Sequence, residues 1–264
     1  MAAITPKQNF MDSCVDTLVR RLNQDLVKME KMNGEREDFQ PVVEKMVGNI
    51  IVNLHEKLIE AFPRSEISYQ NTTPFIPESH DGTKFIIVPL GGLKHINHTH
   101  DEAFIAIAFI DSKGVVQDAM VFNPFKDQKF FASNNNGAFS QELRLRTSTR
   151  KESCDFVVYA NKKLAEPKDF SKVVDLITTE ATNNQALRST DASLLDLMLV
   201  VGGKKDAFIG TGLTMQEVLI AKLFAQEAGA VATDFTSKEI TEKTTSIVVT
   251  NSKLHATKVL PRLK

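Results

Sequence analysis

Two stretches near the start of the chain repeat apolar residues at every third and fourth position, the spacing of one helical face. The first stretch predicts a helix from about Phe10 to Met29. The second stretch predicts a helix that opens at Pro41, a favoured first-turn residue, and that Pro63 ends. Because each stripe covers only one face, we expect both helices to pack on a core rather than to bind a partner.

The middle of the chain changes to short apolar runs, which are typical of buried strands. The run 85–88 predicts one such strand. Segments 104–110 and 115–122 flank the turn residues 111–114 and together predict a β-hairpin. The remaining short strands of this part are predicted at 129–132, 143–147 and 155–159, with a turn at 134–137.

The C-terminal part alternates between helical and strand patterns. Helices are predicted at 169–179, 192–201, 215–228 and 252–260. Strands are predicted at 206–209, 230–234 and 244–249. Since no linker or internal repeat divides the chain, we expect one unit over 1–264 with tightly packed approximate halves, 1–150 and 151–264.

Charge and composition exclude several classes of protein. The 32 basic and 33 acidic residues leave a net charge of -1, so we expect no direct nucleic-acid binding. No apolar stretch approaches the roughly 20 residues of a membrane span, and Met1–Gln8 lacks a signal-peptide core. The two cysteines, Cys14 and Cys154, predict buried thiols rather than a disulfide. We therefore expect a soluble, cytoplasmic protein.

Five segments carry short motifs. Each motif alone is unspecific, but their order and spacing along the chain are specific. They are 85–93 (Phe-Ile-Ile-Val-Pro-Leu-Gly-Gly-Leu), 136–139 (Asn-Gly-Ala-Phe), 187–189 (Leu-Arg-Ser), 202–206, and 227–234 with its opening Glu-Ala-Gly. Over about 62–234 this series resembles the inositol monophosphatase family, within the wider group that includes fructose bisphosphatase. The resemblance implies an α/β fold, an α+β layered sandwich of alternating helix and sheet layers. It also implies a homodimer and Mg²⁺-dependent hydrolysis of inositol or sugar phosphates.

Most of the carboxylates that the family uses for Mg²⁺ are missing from the matching positions. The family's Glu-Glu pair matches the amides Gln70 and Asn71. Its two turn aspartates match Val88 and Gly91, neither of which can bind a metal. Its late Asp matches Glu217, which is one methylene longer. Because Mg²⁺ favours several anionic oxygen ligands, one carboxylate is too few to organise a metal cluster.

Some positions that face phosphate in the family retain a possible role. The Thr that ends the family's turn matches Leu93, which has no hydroxyl. Gly91 and Gly92 still precede a predicted helix, where free amides attract anions. Arg188 lies in the family's Arg-Ser segment. Gly91, Gly92 and Arg188 are therefore candidates for anion binding, with a plain structural turn as the alternative.

A histidine-rich segment follows the glycine turn. It contains His95, His98 and His100, and then Asp101 and Glu102. Three imidazoles and a carboxylate are ligands that Zn²⁺ accepts, but this spacing is not a known metal motif. A surface loop is the favoured interpretation.

These observations predict a catalytically inactive pseudoenzyme that acts as a binding or regulatory module without a cofactor. Since some bacterial members of the family take part in transcription complexes, the resemblance also implies a possible protein partner. A second interpretation is a Mg²⁺-dependent phosphatase of inositol or sugar monophosphates with an altered site built on Glu217 and Gln70. A third is the binding of a phosphorylated small molecule without cleavage.

Overall fold

The protein is described by a computed structural model over residues 5–31, 36–96, 101–141, 143–151, 155–182 and 187–263. It forms two compact units, Met1–Asn134 and Asn135–Lys264. Each unit packs helices against strands around a hydrophobic cluster of its own, so the predicted α/β class is confirmed. The tight packing of two halves that divide near residue 150 stays a prediction. Among the described helices, none combines the length and apolarity needed to cross a membrane.

Two long helices supply one side of the core of the first unit. Helix α1 spans Pro6–Glu30, and Thr5 and Gln8 cap its start by exchanging side-chain and backbone hydrogen bonds. Helix α2 spans Arg36–Ala61 and so begins before Pro41, which lies inside it. The prediction that Pro41 opens this helix was wrong: the helix begins more than a turn earlier and continues through Pro41, which lacks the N–H donor that an interior helical residue supplies.

The strands of the first unit follow one another in space in chain order. Strand β1 pairs in parallel with β2, and each later neighbour pairs antiparallel. The hairpin predicted at 104–122 is thereby confirmed, whereas the first strand was not predicted. The five strands are β1 (Glu66–Tyr69), β2 (Lys84–Gly91), β3 (Phe104–Ile110), β4 (Val116–Asn123) and β5 (Gln128–Ser133).

Strand β2 places its side chains on alternate faces of this sheet. Phe85 and Ile87 join the hydrophobic cluster with α1 and α2. Val88 is fully buried too, but its place in the alternation puts it on the opposite face. The strand ends at Gly91 and is followed by α3 (Leu93–Ile96), a single helical turn.

The second unit contains a five-stranded mixed sheet in the order β11-β12-β10-β8-β9. Its strands are β8 (Phe156–Ala160), β9 (Leu187–Ser189), β10 (Ala207–Thr211), β11 (Val231–Thr233) and β12 (Ser246–Thr250). Strands β8, β9 and β10 are parallel, while β12 runs antiparallel to β10 and β11. A small hairpin, β6 (Gly137–Ser140) with β7 (Leu143–Arg144), precedes the sheet.

Four helices accompany this sheet: α4 (Pro167–Thr182), α5 (Ser193–Val201), α6 (Met215–Glu227) and α7 (Ser252–Leu254). The first three confirm their predictions to within a few residues. The final predicted helix, 252–260, is only partly α-helical, since a π-helical segment His255–Val259 and a 3-10 segment Leu260–Leu263 follow α7. The strand predicted at 143–147 is reduced to two residues, and β6 and β9 were not predicted.

Candidate functional site

An aromatic ring lies where the resemblance expects a metal-binding aspartate. Gly91 is paired across the sheet with Phe104 of β3. A Cβ atom built on Gly91 would lie 2.2–2.7 Å from three carbon atoms of the Phe104 ring. Phe104 is completely buried, so its ring has little room to move away. A ring covering a strand glycine is a stabilising arrangement in β-sheets, and here it leaves no space for a carboxylate.

The residue at the position of the other turn aspartate, Val88, cannot bind a metal ion either. Val88 is 0% exposed, and Ala106 lies opposite it on β3. A small apolar pair in the interior of a sheet offers neither a ligand atom nor the solvent access that a hydrated cation keeps. The register between Val88 and Gly91 shifts by a bulge, which aligns Gly91 with Phe104.

The amides that match the family's Glu-Glu pair follow β1. The backbone N–H of Gln70 donates to the carbonyl of Ile87 at 2.8 Å, which extends the pairing of β1 with β2. Asn71 is exposed and has a φ of 62°, a left-handed conformation that asparagine tolerates better than most residues. Asn71 therefore suits the turn, independently of any metal.

The single matching carboxylate, Glu217, performs a structural task at the start of α6. Its Oε2 accepts from the backbone N–H of Thr214 at 2.9 Å and from the Thr214 hydroxyl at 2.8 Å. In return the Thr214 side chain caps the backbone of Glu217, which completes a capping box. The other oxygen, Oε1, accepts from the hydroxyl of Ser193 at 2.5 Å. Both oxygens are thus already engaged by the protein.

Burial also disfavours the negative charge of Glu217. The side chain is 4% exposed, and desolvation raises the pKa of its carboxyl above the usual value, against the opposing effect of the Ser193 and Thr214 hydrogen bonds. The negative charge of Asp191 raises it further. A carboxyl that is buried, hydrogen-bonded and easily protonated is a poor single ligand for Mg²⁺.

Tyr159 belongs to the same buried neighbourhood and was missed by sequence reasoning. Burial raises the pKa of its phenol, and the charges of Glu217 and Asp191 raise it further. Tyr159 ends the apolar run 156–159, so the pattern presented it as a core residue. Ser193 was missed for a similar reason, because a serine that opens a helix gives no signal of its contact with another helix.

Arg188 is held by a buried carboxylate. Its Nε donates to Oδ1 of Asp196 at 2.8 Å, and Asp196 is 0% exposed. The hydroxyl of Thr190 donates to the other oxygen of Asp196 at 2.5 Å. These contacts fix the start of α5 to strand β9. The role of Arg188 in anion binding stays a prediction, as do those of Gly91 and Gly92.

The glycine turn leads into a very short helix. Gly92 has a φ of +80°, and a Cβ there would lie 2.5 Å from the carbonyl oxygen of Glu102, so only glycine fits. The N–H groups of His95 and Ile96 both bond to the Gly92 carbonyl. Leu93 is 39% exposed at the start of this turn. A single turn has a small dipole, which weakens the case for an anion here.

Only part of the predicted histidine cluster lies within the described residues. His95 lies in α3, whereas His98 and His100 lie outside the described residues. Asp101 forms an ion pair with Lys126 at 3.1 Å. Zinc binding by this segment therefore stays an untested alternative to the favoured surface loop.

The acidic residues of the last motif hold loops in the second unit. Glu227 accepts from the backbone N–H groups of Asn135 and Gly137 at 2.9 and 2.7 Å, and so secures the turn before β6. Asp234 accepts from the backbone of Thr236 and of Lys238 in a tight loop. Both carboxylates thus have local structural partners.

These residues do not fit a cluster of Mg²⁺ ions. Across the described ranges, no three His, Cys, Asp or Glu side chains are grouped so that they could hold a metal ion. Of the matched positions, two are amides, one is a buried valine, one is a glycine covered by a ring, and one is a hydrogen-bonded glutamate. We therefore derive no catalytic step through a metal, and the absence of a cofactor stays a prediction.

Comparison with known proteins gives a consistent relationship over nearly the whole chain. The chain is 25% identical over 241 residues to the "Putative Nus factor SuhB" of Neisseria meningitidis serogroup B, covering 90% of this chain and 92% of that protein. It is 26% identical over 218 residues to the "Nus factor SuhB" of Escherichia coli, covering 82% and 79%.

The solved structure of the extragenic suppressor protein suhB from Bartonella henselae is similar with a TM-score of 0.83. The two share 20% identity over 98% of this chain and 99% of that one, a likeness that shows the fold, the expected α/β layered sandwich. The profile of the "Inositol monophosphatase family" matches residues 9–264. The chain therefore belongs to the inositol monophosphatase family.

Proposed function

We propose that this chain is a noncatalytic member of its family that works as a binding or regulatory module. The observation that carries the proposal is the Phe104 ring over Gly91, because it fills the volume that a metal-binding side chain would need. Loss of a ligand by one substitution leaves an empty place that solvent or another residue can fill. Here a fully buried aromatic ring has taken the place instead.

The chemistry of phosphate ester hydrolysis explains why this matters. The uncatalysed reaction is exceptionally slow, and such enzymes usually clamp the phosphate and the attacking water between metal ions. Mg²⁺ needs charged oxygen ligands in near-octahedral geometry. Gln70 and Asn71 offer neutral carbonyl oxygens only, and Glu217 offers oxygens that Ser193 and Thr214 already occupy. The remaining groups supply too little negative charge for the metal.

A protein partner is the second part of the proposal. It is supported by the name Nus factor, which several relatives carry, and by the loss of carboxylates in a fold that is otherwise retained. We propose a partner within a transcription complex, a homodimeric state and a cytoplasmic location.

The proposal is tested by Mg²⁺ titration calorimetry together with inositol-1-phosphate hydrolysis at several Mg²⁺ concentrations. We expect neither saturable Mg²⁺ binding nor turnover above the protein-free rate. Glu217→Gln is the matched control, since glutamine also serves in a capping box and removes the charge, with one accepting oxygen replaced by an NH2 group. Metal-dependent turnover that this substitution abolishes would refute the proposal and favour a phosphatase of inositol or sugar monophosphates with an altered metal site.

A further inference from the structure

The second unit contains a cavity that is not lined by any of the residues matched to the family's metal-binding or phosphate-binding positions. It has a volume of about 260 Å³ and lies between the loop 146–149, the end of α6 and the start of α7. The polar side chains of its lining are those of Arg146, Thr147, Ser148, Thr149, Asn251, Ser252 and Lys253. We call it the loop cavity. Its size is below that of pockets for drug-sized ligands, which favours a small occupant.

The charge of the loop cavity favours an anion. Arg146 and Lys253 are its charged residues, and both are cations. Within the described ranges, no carboxylate lies within ion-pairing distance of either side chain. Two cations that share a concave site with hydroxyl donors attract an anionic group, because an opposite charge there lowers their mutual repulsion.

The carboxylate that accepts a hydrogen bond from Ser148 of the lining does not neutralise this site. Asp206 is 1% exposed, and its Oδ1 accepts from the hydroxyl of Ser148 at 2.6 Å and from Nε of Arg150 at 2.5 Å. Its Oδ2 accepts from the backbone N–H of Asp155 at 3.0 Å. The charge of Asp206 is therefore balanced by Arg150, and the charges of Arg146 and Lys253 are left over.

A polar atom in the lining is also left unsatisfied. Oγ1 of Thr147 is buried and has no hydrogen-bond partner in the described part of the chain. The Thr147 backbone is fixed, since its N–H donates to the carbonyl of Ala228 at 3.1 Å. A buried hydroxyl without a partner costs about 1–3 kcal/mol. A ligand oxygen within reach of this hydroxyl would recover that cost.

From the two unneutralised cations, the unsatisfied hydroxyl and the small volume, we propose that the loop cavity binds the phosphate group of a small phosphorylated molecule. A phosphate presents several oxygens, which suits a guanidinium, an ammonium and hydroxyl donors at once. The proposal does not depend on the absence of catalysis, because the residues matched to the family's metal-binding and phosphate-binding positions do not line the cavity.

The test is calorimetric titration of the full chain with inorganic phosphate and with glycerol 2-phosphate, at constant ionic strength. We expect saturable binding of both, weakened about tenfold by Arg146→Gln and by Lys253→Gln. Lys162→Gln is the matched control, because it removes one exposed cation of the same unit outside the cavity and should leave the affinity unchanged. Thr147→Val should weaken binding while the chain without phosphate melts no lower than the wild type.

Three results would overturn the proposal. The first is the absence of saturable binding. The second is binding that Arg146→Gln and Lys253→Gln leave unchanged, which would place the phosphate elsewhere, for example at the matched family positions. The third is tight binding of a single-stranded RNA oligonucleotide that these substitutions abolish, with no saturation by the small phosphates.

Discussion

Restoring an aspartate at residue 91 should destabilise the protein instead of rebuilding a metal site. Gly91→Asp adds a Cβ atom that would lie 2.2 Å from the nearest carbon of the Phe104 ring, far inside van der Waals contact. Phe104 must then leave a site where it is 0% exposed, or the strands β2 and β3 must separate. Either change disturbs close packing on both sides of the sheet.

The magnitude follows from two contributions. Overpacking in a well-packed core costs about 1–3 kcal/mol. A half-buried carboxylate without a partner adds about 1–3 kcal/mol. The sum, about 2–6 kcal/mol, lowers the melting temperature of a protein of this size by roughly 5–15 °C. Adding Val88→Asp places a second charge at a fully buried position and should cost more again.

The assay is urea unfolding followed by circular dichroism, for wild type and for each variant. Gly48→Asp is the matched control: it adds the same side chain at an exposed helical glycine whose Cβ would meet nothing within 4 Å, so its effect should stay within about 0.5 kcal/mol. In a Phe104→Ala background the ring is gone, and the cost of Gly91→Asp should fall by at least about 1 kcal/mol.

Two results would refute this reasoning. An equal cost of Gly91→Asp with and without Phe104 would mean that the ring does not occupy the space. A large Mg²⁺-dependent rate of inositol-1-phosphate hydrolysis in the variant carrying both Val88→Asp and Gly91→Asp would mean that two carboxylates suffice to restore the chemistry.

Two further substitutions test the buried carboxyls. Because the pKa of Glu217 is raised above its usual 4.5, the folded state keeps a proton that the unfolded state releases, and this contribution to stability is lost as pH rises from about 4.5 through the folded pKa. The unfolding free energy of Glu217→Gln relative to wild type should therefore increase over that window in urea titrations, and a difference independent of pH would contradict the assignment. Arg188→Ala leaves the Asp196 carboxylate buried without its guanidinium partner, and should cost about 2–4 kcal/mol in the same assay. Asp196→Asn in the Arg188→Ala background should recover part of that loss, and no recovery would argue against the ion pair.

The helices and strands were largely predictable because their signal is local. The 3–4 spacing that predicted α1 also describes its buried face, with Met11, Leu18 and Leu22 in the core. The short apolar run 85–88 lies within β2 for the same reason. Errors occurred where the local signal misleads or is weak. Proline usually marks the first turn of a helix, but Pro41 lies beyond the first turn of α2, and β9 has only three residues, too few to show a period.

The residues of the candidate site were predictable by position but not by role. The motif order indicated that Glu217 was the remaining carboxylate, and the structure shows it as the partner of Thr214 and Ser193. The contact with Thr214 could be predicted from the sequence, since a threonine followed three residues later by a glutamate is a capping-box pattern. The contact of Glu217 with Ser193 could not be predicted from the sequence, because Ser193 lies on a different helix.

The sequence by itself determined which chemical groups the chain offers: amides, a valine and a glycine where carboxylates were expected, and the order of helices and strands around them. The tertiary structure decided what fills the space that those groups leave. Gly91 meets Phe104 only because β2 and β3 pair in one register, and a bulge of one residue more or less would turn the ring to the other face. The tertiary structure also decided the charge balance. Arg150 neutralises Asp206 although the two residues are 56 positions apart in the sequence, too far for a local sequence pattern to indicate. Periodicity reports on neighbours along the chain, whereas packing and electrostatics depend on neighbours in space.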